Sequence, residues 1–271
     1  MIPGGGPAIS AHRGGSERAA PGTYQAYREA LTAGADYIEL DMRQTADGVL
    51  VSFHRERIGR GRPVAAVTYG RLCRLAGYEV PRLDEALRLL AGRGAAHLDL
   101  KDPGSAAASV DQALGVLGPV PVPVLVTTRD TSTAAALAAS FPSVAVGVTV
   151  GGDLPETIRF AARRARHHRL SRLEPVLAAG AGWAVVHQRL ARSGLLAECR
   201  SRGLSTVVWT VNRDRSVARM LASPEVDVLV TDRPARAAAI RASAGHERSL
   251  WVGLQEGVRS RRVLARNPSI A

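Results

Sequence analysis

The feature that most constrains this chain is a repeat of short, apolar, β-branched runs separated by stretches of helical spacing. Eight such runs occur: Ala8 to Ala11, Tyr37 to Met42, Ala95 to Leu100, Val122 to Thr127, Val144 to Val150, Ala184 to His187, Thr206 to Val211 and Val226 to Val230. Between them, apolar residues recur three and four positions apart in Thr23 to Ala33, Leu83 to Leu90, Ser132 to Ala139, Arg189 to Arg200 and Ser216 to Leu221. Eight strands alternating with helices predict an α/β fold, a closed (β/α)8 TIM barrel. With 271 residues, 46% of them hydrophobic, the chain has the length and apolar content for one such domain. The pattern ends at Ala244, so the barrel is expected over 1–244. In the basic tail that follows, 245–271, Trp251, Leu254 and Val258 keep a near-helical spacing. The tail reads as a short surface helix or a frayed end, with a membrane-surface or partner-binding segment as the other reading.

A ninth run, Val49 to Phe53, follows Asp47-Gly48, a strong hairpin signal. It is expected to pair antiparallel with the second strand as a flap. Such a hairpin places His54 roughly opposite Asp41 and returns it to the barrel mouth.

Composition narrows the partners. The net charge of +12 invites a nucleic-acid reading, but the arginines are scattered and aromatic residues make up only 4%, too few for base-stacking platforms. No apolar run approaches the roughly 20 residues needed to span a bilayer, and no charged leader with an apolar run opens the chain. Cys73 and Cys199 are too few for a disulfide framework and no Cys/His cluster has zinc spacing, which fits a reducing cytoplasm. Of 36 basic side chains, only Lys101 is a lysine. A compact ammonium where arginine is otherwise universal points to an anionic oxygen in a confined site.

Polar residues at the C-terminal ends of barrel strands are the ones to read for chemistry. His12-Arg13-Gly14 ends the first strand, Glu39-Leu40-Asp41 the second and Asp99-Leu100-Lys101 the third. Residues two apart on a strand share a face, so Glu39 with Asp41 and Asp99 with Lys101 point together into the mouth. Three carboxylates in one pocket call for a hard divalent cation with oxygen ligands, Mg2+ or Ca2+.

Residues 8 to about 240, read in this order, resemble the glycerophosphodiester phosphodiesterase family. The resemblance rests on the strand ending His12-Arg13-Gly14, on Glu39-x-Asp41, on the turn and strand ending in His54, and on Val80 to Leu87, which is similar to the family's Ile-Pro-x-Leu-x-Glu-x-Leu. Trp209-Thr210-Val211-Asn212 and Val230-Thr231-Asp232-Arg233-Pro234 resemble its seventh and eighth strand ends. The resemblance implies metal-dependent cleavage of a small-molecule glycerophosphodiester to an alcohol and glycerol 3-phosphate, a step of lipid metabolism. Glu39, Asp41 and Asp99 would hold the metal, with Asp99 in place of a glutamate. Arg13 and Lys101 would hold phosphate oxygens, and His12 and His54 would be the acid and base. The nucleophile, water or the substrate's own glycerol hydroxyl, is left open.

Three departures stand out. The family's Pro-Glu-Asn-Thr is here Ala20-Pro21-Gly22-Thr23, the Asp after the second His is Arg55, and the insertion after it is reduced to a short loop. Glu17, upstream, is a candidate to replace the lost carboxylate. These losses keep two alternatives in view, a lysophospholipase D-like activity and a degenerate barrel that only binds phosphorylated ligands. Trp209 is expected to wall the pocket and pack against substrate. His187 has two readings, substrate contact or structural hydrogen bond. Trp183 and Trp251 read as packing or surface residues, and His167-His168 as solvated. Oligomeric state is not legible in these residues.

Overall fold

The computed structural model of the protein describes residues 6–102, 106–117, 123–150 and 170–244. The basic tail 245–271, with Trp251, and His167-His168 lie outside the described residues.

The eight expected strands form, and they close. In chain order the strands are β1 (Ala8–Ala11), β2 (Tyr37–Gln44), β3 (Leu50–Ser52), β4 (Arg57–Ile58), β5 (Arg62–Pro63), β6 (Ala95–Leu100), β7 (Val124–Thr128), β8 (Ala145–Val150), β9 (Trp183–His187), β10 (Ser205–Trp209) and β11 (Val228–Thr231). Parallel pairing runs β1-β11-β10-β9-β8-β7-β6-β2, and β1–β2 pairing closes the ring of eight. β3 lies outside the ring, antiparallel to β2, with Met42 opposite Ser52 and Gln44 opposite Leu50. The flap is therefore present, and its register is one residue off the sequence expectation. Phe53, not His54, stands beside Asp41, donating its N–H to the Asp41 carbonyl at 2.8 Å, and His54 follows it out of the pairing.

The helices are α1 (Tyr24–Thr32), α2 (Tyr69–Ala76), α3 (Leu83–Leu90), α4 (Ala106–Leu117), α5 (Thr131–Ser140), α6 (Leu170–Ala178), α7 (Gln188–Ala191), α8 (Leu195–Ser201), α9 (Asp214–Leu221) and α10 (234–244). Their starts follow local chemistry. Thr23 Oγ1 caps α1 by accepting the Ala26 N–H at 3.2 Å, and an Asp130 oxygen caps α5 by accepting the Thr133 N–H at 2.7 Å. α3 buries Leu83, Ala86, Leu87 and Leu90 on one face, the spacing of an amphipathic helix against a sheet. The single helix expected over Arg189 to Arg200 is two, because Gly194 adopts a left-handed φ of 81° between α7 and α8.

The region after His54 is more than a short loop. β4, β5 and α2 form a small lobe with its own apolar centre, including Phe53, Ile58, Val64, Leu72 and Val80, separate from the main core between strands and helices. The sequence underplays it because its strands are two residues long. Inside the ring, Ala8, Leu125, Val207 and Val228 fill the lower barrel, with Trp183 packed against them as expected.

Candidate active site

His12 leaves β1 into a single 3-10 turn, His12–Gly14. Arg13 takes φ 52°, the one non-glycine positive φ among the described residues, a conformation costing about 1–2 kcal/mol. The turn aims its backbone N–H at Glu39, whose Oε2 accepts it at 2.7 Å. Gly14 follows with φ 79°, where a Cβ would lie 2.7 Å from the Tyr27 ring and 2.8 Å from the Ala26 backbone, so this place admits only glycine. The His-Arg-Gly order is thus a backbone requirement as well as a chemical one.

Parallel register sets Asp41 beside Asp99. Glu39, Asp41 and Asp99 each offer a carboxylate oxygen within 4.8 Å of the others. Lys101 Nζ lies 2.8 Å from Asp41 Oδ1 and also donates to Asp99, while Arg13 Nε lies 3.2 Å from Asp41 Oδ2. Burial and the charges of Asp41 and Asp99 push Glu39 well above the usual carboxylate range, against the pull of Lys101 and the Arg13 N–H. Burial also raises Asp41, but the Lys101 ammonium and Arg13 outweigh it and hold it below its ordinary value. Burial disfavours the charge on Lys101, yet Asp99, Asp41 and Glu39 together raise its pKa.

The group fits a hard divalent cation on its own chemistry. All three donors are carboxylate oxygens, and the one lysine near them, 2.8 Å from Asp41 Oδ1, leaves the cluster of three carboxylates short of positive charge. An excess of negative charge that burial cannot tolerate is what such a cation would neutralise.

The two histidines are held by different means. His12 Nδ1 is 2.6 Å from Asp232 Oδ1, and Asp232 in turn accepts from Asn212 Nδ2 at 2.5 Å and donates its backbone N–H to Asn212 Oδ1 at 2.9 Å. Burial alone would raise Asp232, but hydrogen bonds from His12 and Asn212 keep it lowered. A carboxylate only accepts, so the His12 ring proton sits on Nδ1 and Nε2 is the lone-pair nitrogen of the neutral ring. His54 is exposed at the end of the flap strand, with its carbonyl accepting from Arg43 Nη2 at 3.3 Å. The other arm of Arg43 pairs with Asp102, which ties the flap's return to the mouth of β6. Desolvation lowers the His54 pKa, Asp41 opposes, and Arg13, Lys101 and His12 lower it further.

One cavity of about 110 Å3 is lined by His12, Arg13, Glu39, His54, His97, Asp99 and Lys101 on one side and by Thr127, Arg129, Thr149, Val185, Trp209 and Val230 on the other, and Asp41 joins it through its contacts with Arg13 and Lys101. A larger groove of about 660 Å3 between α1 and α10 is lined largely by alanines and carries none of this chemistry. Trp209 walls the cavity with its Nε1 buried and without a partner, and meets His187 edge-on at 5.4 Å. His187 does not line the cavity. Its Nδ1 accepts the Arg189 N–H at 3.3 Å, which favours the structural reading. Glu17 does not replace the missing carboxylate: it turns away and accepts the backbone N–H groups of Ala235 and Arg236 at 2.8 and 3.2 Å, capping α10. Sequence reasoning assigned no role to Asp232, Asn212, His97, Thr127 or Arg129. Asp232 had a signal, an acidic residue at the end of the last barrel strand. His97 had none, being a histidine in the middle of an apolar run.

Residues 12–113 match the profile of the Glycerophosphoryl diester phosphodiesterase family. Over 76 residues the chain is 40% identical to Glycerophosphodiester phosphodiesterase 1 of Bos taurus, an alignment covering 28% of this chain and 22% of that protein. The likeness to this family in sequence is carried by residues 12–113. The family's barrel is shared over nearly the whole length. A glycerophosphodiester phosphodiesterase of Agrobacterium tumefaciens superposes with a TM-score of 0.62 at 26% identity, covering 87% of this chain and 99% of that one. An Oleispira antarctica phosphodiesterase, solved with the product sn-glycerol-3-phosphate, shares the fold with a TM-score of 0.69 at 19% identity, over 86% of this chain and 96% of that one. Sequence alignments with the curated relatives are shorter, spanning about a fifth of their length, 22% for the bovine protein. No helix among the described residues is long and apolar enough to cross a membrane.

Proposed function

We propose that this protein hydrolyses glycerophosphodiesters to an alcohol and glycerol 3-phosphate, with Glu39, Asp41 and Asp99 holding a divalent cation, Mg2+ or Ca2+. The observation that carries the reading is one small cavity bringing together an Asp232-tethered His12, a flap-borne His54, Glu39 and Asp99 of a cluster completed by the buried Asp41, and the lone lysine. The bound cation would supply Lewis-acid neutralisation of charge on the phosphate oxygens.

The protein's own groups account for the rest. Arg13 and Lys101 face the same space and neutralise non-bridging oxygens of the phosphodiester. His12, with Nε2 unprotonated, accepts the proton of the attacking hydroxyl, from water or from the substrate's glycerol, as its oxygen bonds to phosphorus; on the glycerol route the cyclic phosphate so formed is opened to glycerol 3-phosphate by water in a second such step. His54 gives a proton to the departing alkoxide as the second P–O bond breaks. Asp232 stabilises the imidazolium formed on His12, the part an aspartate plays in hydrolytic triads. Trp209 packs against the substrate's organic part. The product in the Oleispira relative is the one expected here.

The test is turnover. Purified protein incubated with glycerophosphocholine and glycerophosphoethanolamine should release glycerol 3-phosphate, and a chelator should abolish release until Mg2+ or Ca2+ is returned. Binding of glycerol 3-phosphate with no turnover of either substrate under any divalent cation would instead establish the degenerate, ligand-binding barrel.

A further inference from the structure

Beneath the carboxylates the barrel interior holds a polar chain that the acid–base chemistry does not use. Ser10 Oγ lies 3.0 Å from His97 Nδ1, and His97 Nε2 lies 3.0 Å from Thr127 Oγ1. The Thr127 hydroxyl donates to Asp99 Oδ1 at 2.9 Å. Ser10, His97 and Thr127 are buried, at 0%, 3% and 2% exposure, inside a ring whose lower part is filled by apolar side chains.

Proton counting gives this chain a direction. Asp99, as a carboxylate, only accepts, so the single Thr127 hydroxyl proton points at it. Thr127 Oγ1 must then accept from His97, which places the ring proton on Nε2. A neutral imidazole has no second N–H, so Nδ1 accepts from the Ser10 hydroxyl. Burial of the ring between two hydroxyls, with no carboxylate bonded to it, favours that neutral form.

We propose that Ser10, His97 and Thr127 form a one-way positioning relay that fixes the Asp99 carboxylate for the divalent cation, an inference that rests on the metal-dependent reading above. Each of the three carboxylates then has its own anchor. Glu39 is held by the Arg13 N–H at 2.7 Å, Asp41 by Lys101 at 2.8 Å, and Asp99 by Thr127. Asp99 needs one most, because its side chain is 24% exposed where Asp41 is 3% exposed, and water competes for its oxygens. Its other oxygen is already taken by Lys101. Partners one shell behind a metal ligand set its orientation, and losing them costs about 10-fold to 100-fold in metal affinity.

Two neutral substitutions of similar bulk separate positioning from mere filling. His97→Gln carries an amide nitrogen to about the place of Nε2 and can still donate to Thr127, whereas His97→Asn reaches only the place of Nδ1. With Mg2+ and Ca2+ each titrated alone into the full chain by calorimetry, His97→Asn and Thr127→Val should bind about 10-fold to 100-fold more weakly than wild type. His97→Gln and Thr127→Ser should stay near wild type. Independently, nitrogen-15 NMR of the chelated wild-type protein should show the His97 proton on Nε2. Equal affinities for the Asn and Gln variants, or a ring proton on Nδ1, would overturn the relay. Wild-type protein that binds neither cation would overturn the metal reading itself, while the nitrogen-15 spectrum still reports the direction of the chain.

Discussion

The two sides of the cavity are built on opposite terms. β1, β2 and β6 deliver His12, Arg13, Glu39, Asp41, Asp99 and Lys101, whose charges are each other's partners. β7 to β11 deliver Thr127, Thr149, Val185, Trp209 and Val230, which are uncharged, and Arg129, just after β7, is the one charged lining residue on that side. On the charged arc every group compensates another that could not be buried alone, so removing one exposes its partners to the full cost of desolvation. On the neutral arc each side chain contributes little beyond its own surface, and substitutions should add nearly independently. Asp232, at the end of β11, reaches the chemistry by pairing with His12 of the charged arc.

The sharpest way to break this contrast is Lys101. Lys101→Ala should lower kcat/KM by about 100-fold to 1,000-fold, the usual loss of one preorganised donor to a developing oxyanion. Lys101→Arg should be nearly as harmful, since a planar guanidinium cannot take the place of an ammonium between Asp41 and Asp99 in a cavity of about 110 Å3. Steady-state kinetics on both variants decides it, and near-normal turnover by the arginine variant would dissolve the argument from the lone lysine.

A smaller effect lies beneath the charged arc. His97 is neutral in the fold with a pKa of about 4, and about 6.5 when unfolded. Between those values the unfolded chain binds the proton and the folded one does not, so stability falls as pH drops from 6.5 to 4. The full span is worth about 3 kcal/mol. Denaturant titrations of the chelated protein across that window should show the loss, and His97→Gln should flatten its share of the slope.

The smallest effect belongs to the neutral arc. Trp209→Phe keeps the wall and removes a buried N–H that has no partner. Thermal stability should hold or rise slightly, and KM should change by no more than about 5-fold, the worth of one ordinary hydrogen bond. A hundredfold loss in kcat would place Trp209 among the reacting groups and erase the distinction between the arcs.

Legibility in the sequence followed the same division. The barrel was readable because eight buried parallel strands leave eight apolar runs, and the charged arc because Glu39-x-Asp41 and Asp99-x-Lys101 carry polar residues at the period of a strand. The lobe around α2 was not, since two-residue strands leave no alternation to detect. Nor was the break at Gly194, because one left-handed glycine interrupts a helix without disturbing its apolar spacing. The guess that Glu17 supplies a carboxylate failed because chain proximity to the His-Arg-Gly turn says nothing about direction, and the nearby N-terminus of α10 offered unpaired N–H groups. His97 and Thr127 were invisible for a different reason: their meaning lies in register between β6 and β7, which no single segment encodes.

The central claim is that His12 and His54 work from different sides of one phosphate, His12 as base and His54 as acid. The direct test compares His12→Ala and His54→Ala on a natural glycerophosphodiester and on a p-nitrophenyl phosphodiester, whose leaving group needs no proton. On the natural substrate each variant should lose about 100-fold to 10,000-fold in rate. The p-nitrophenyl ester should restore His54→Ala to near wild-type turnover and leave His12→Ala impaired. Rescue of His12→Ala instead would reverse the roles, and full activity of either variant on the natural substrate would contradict the account.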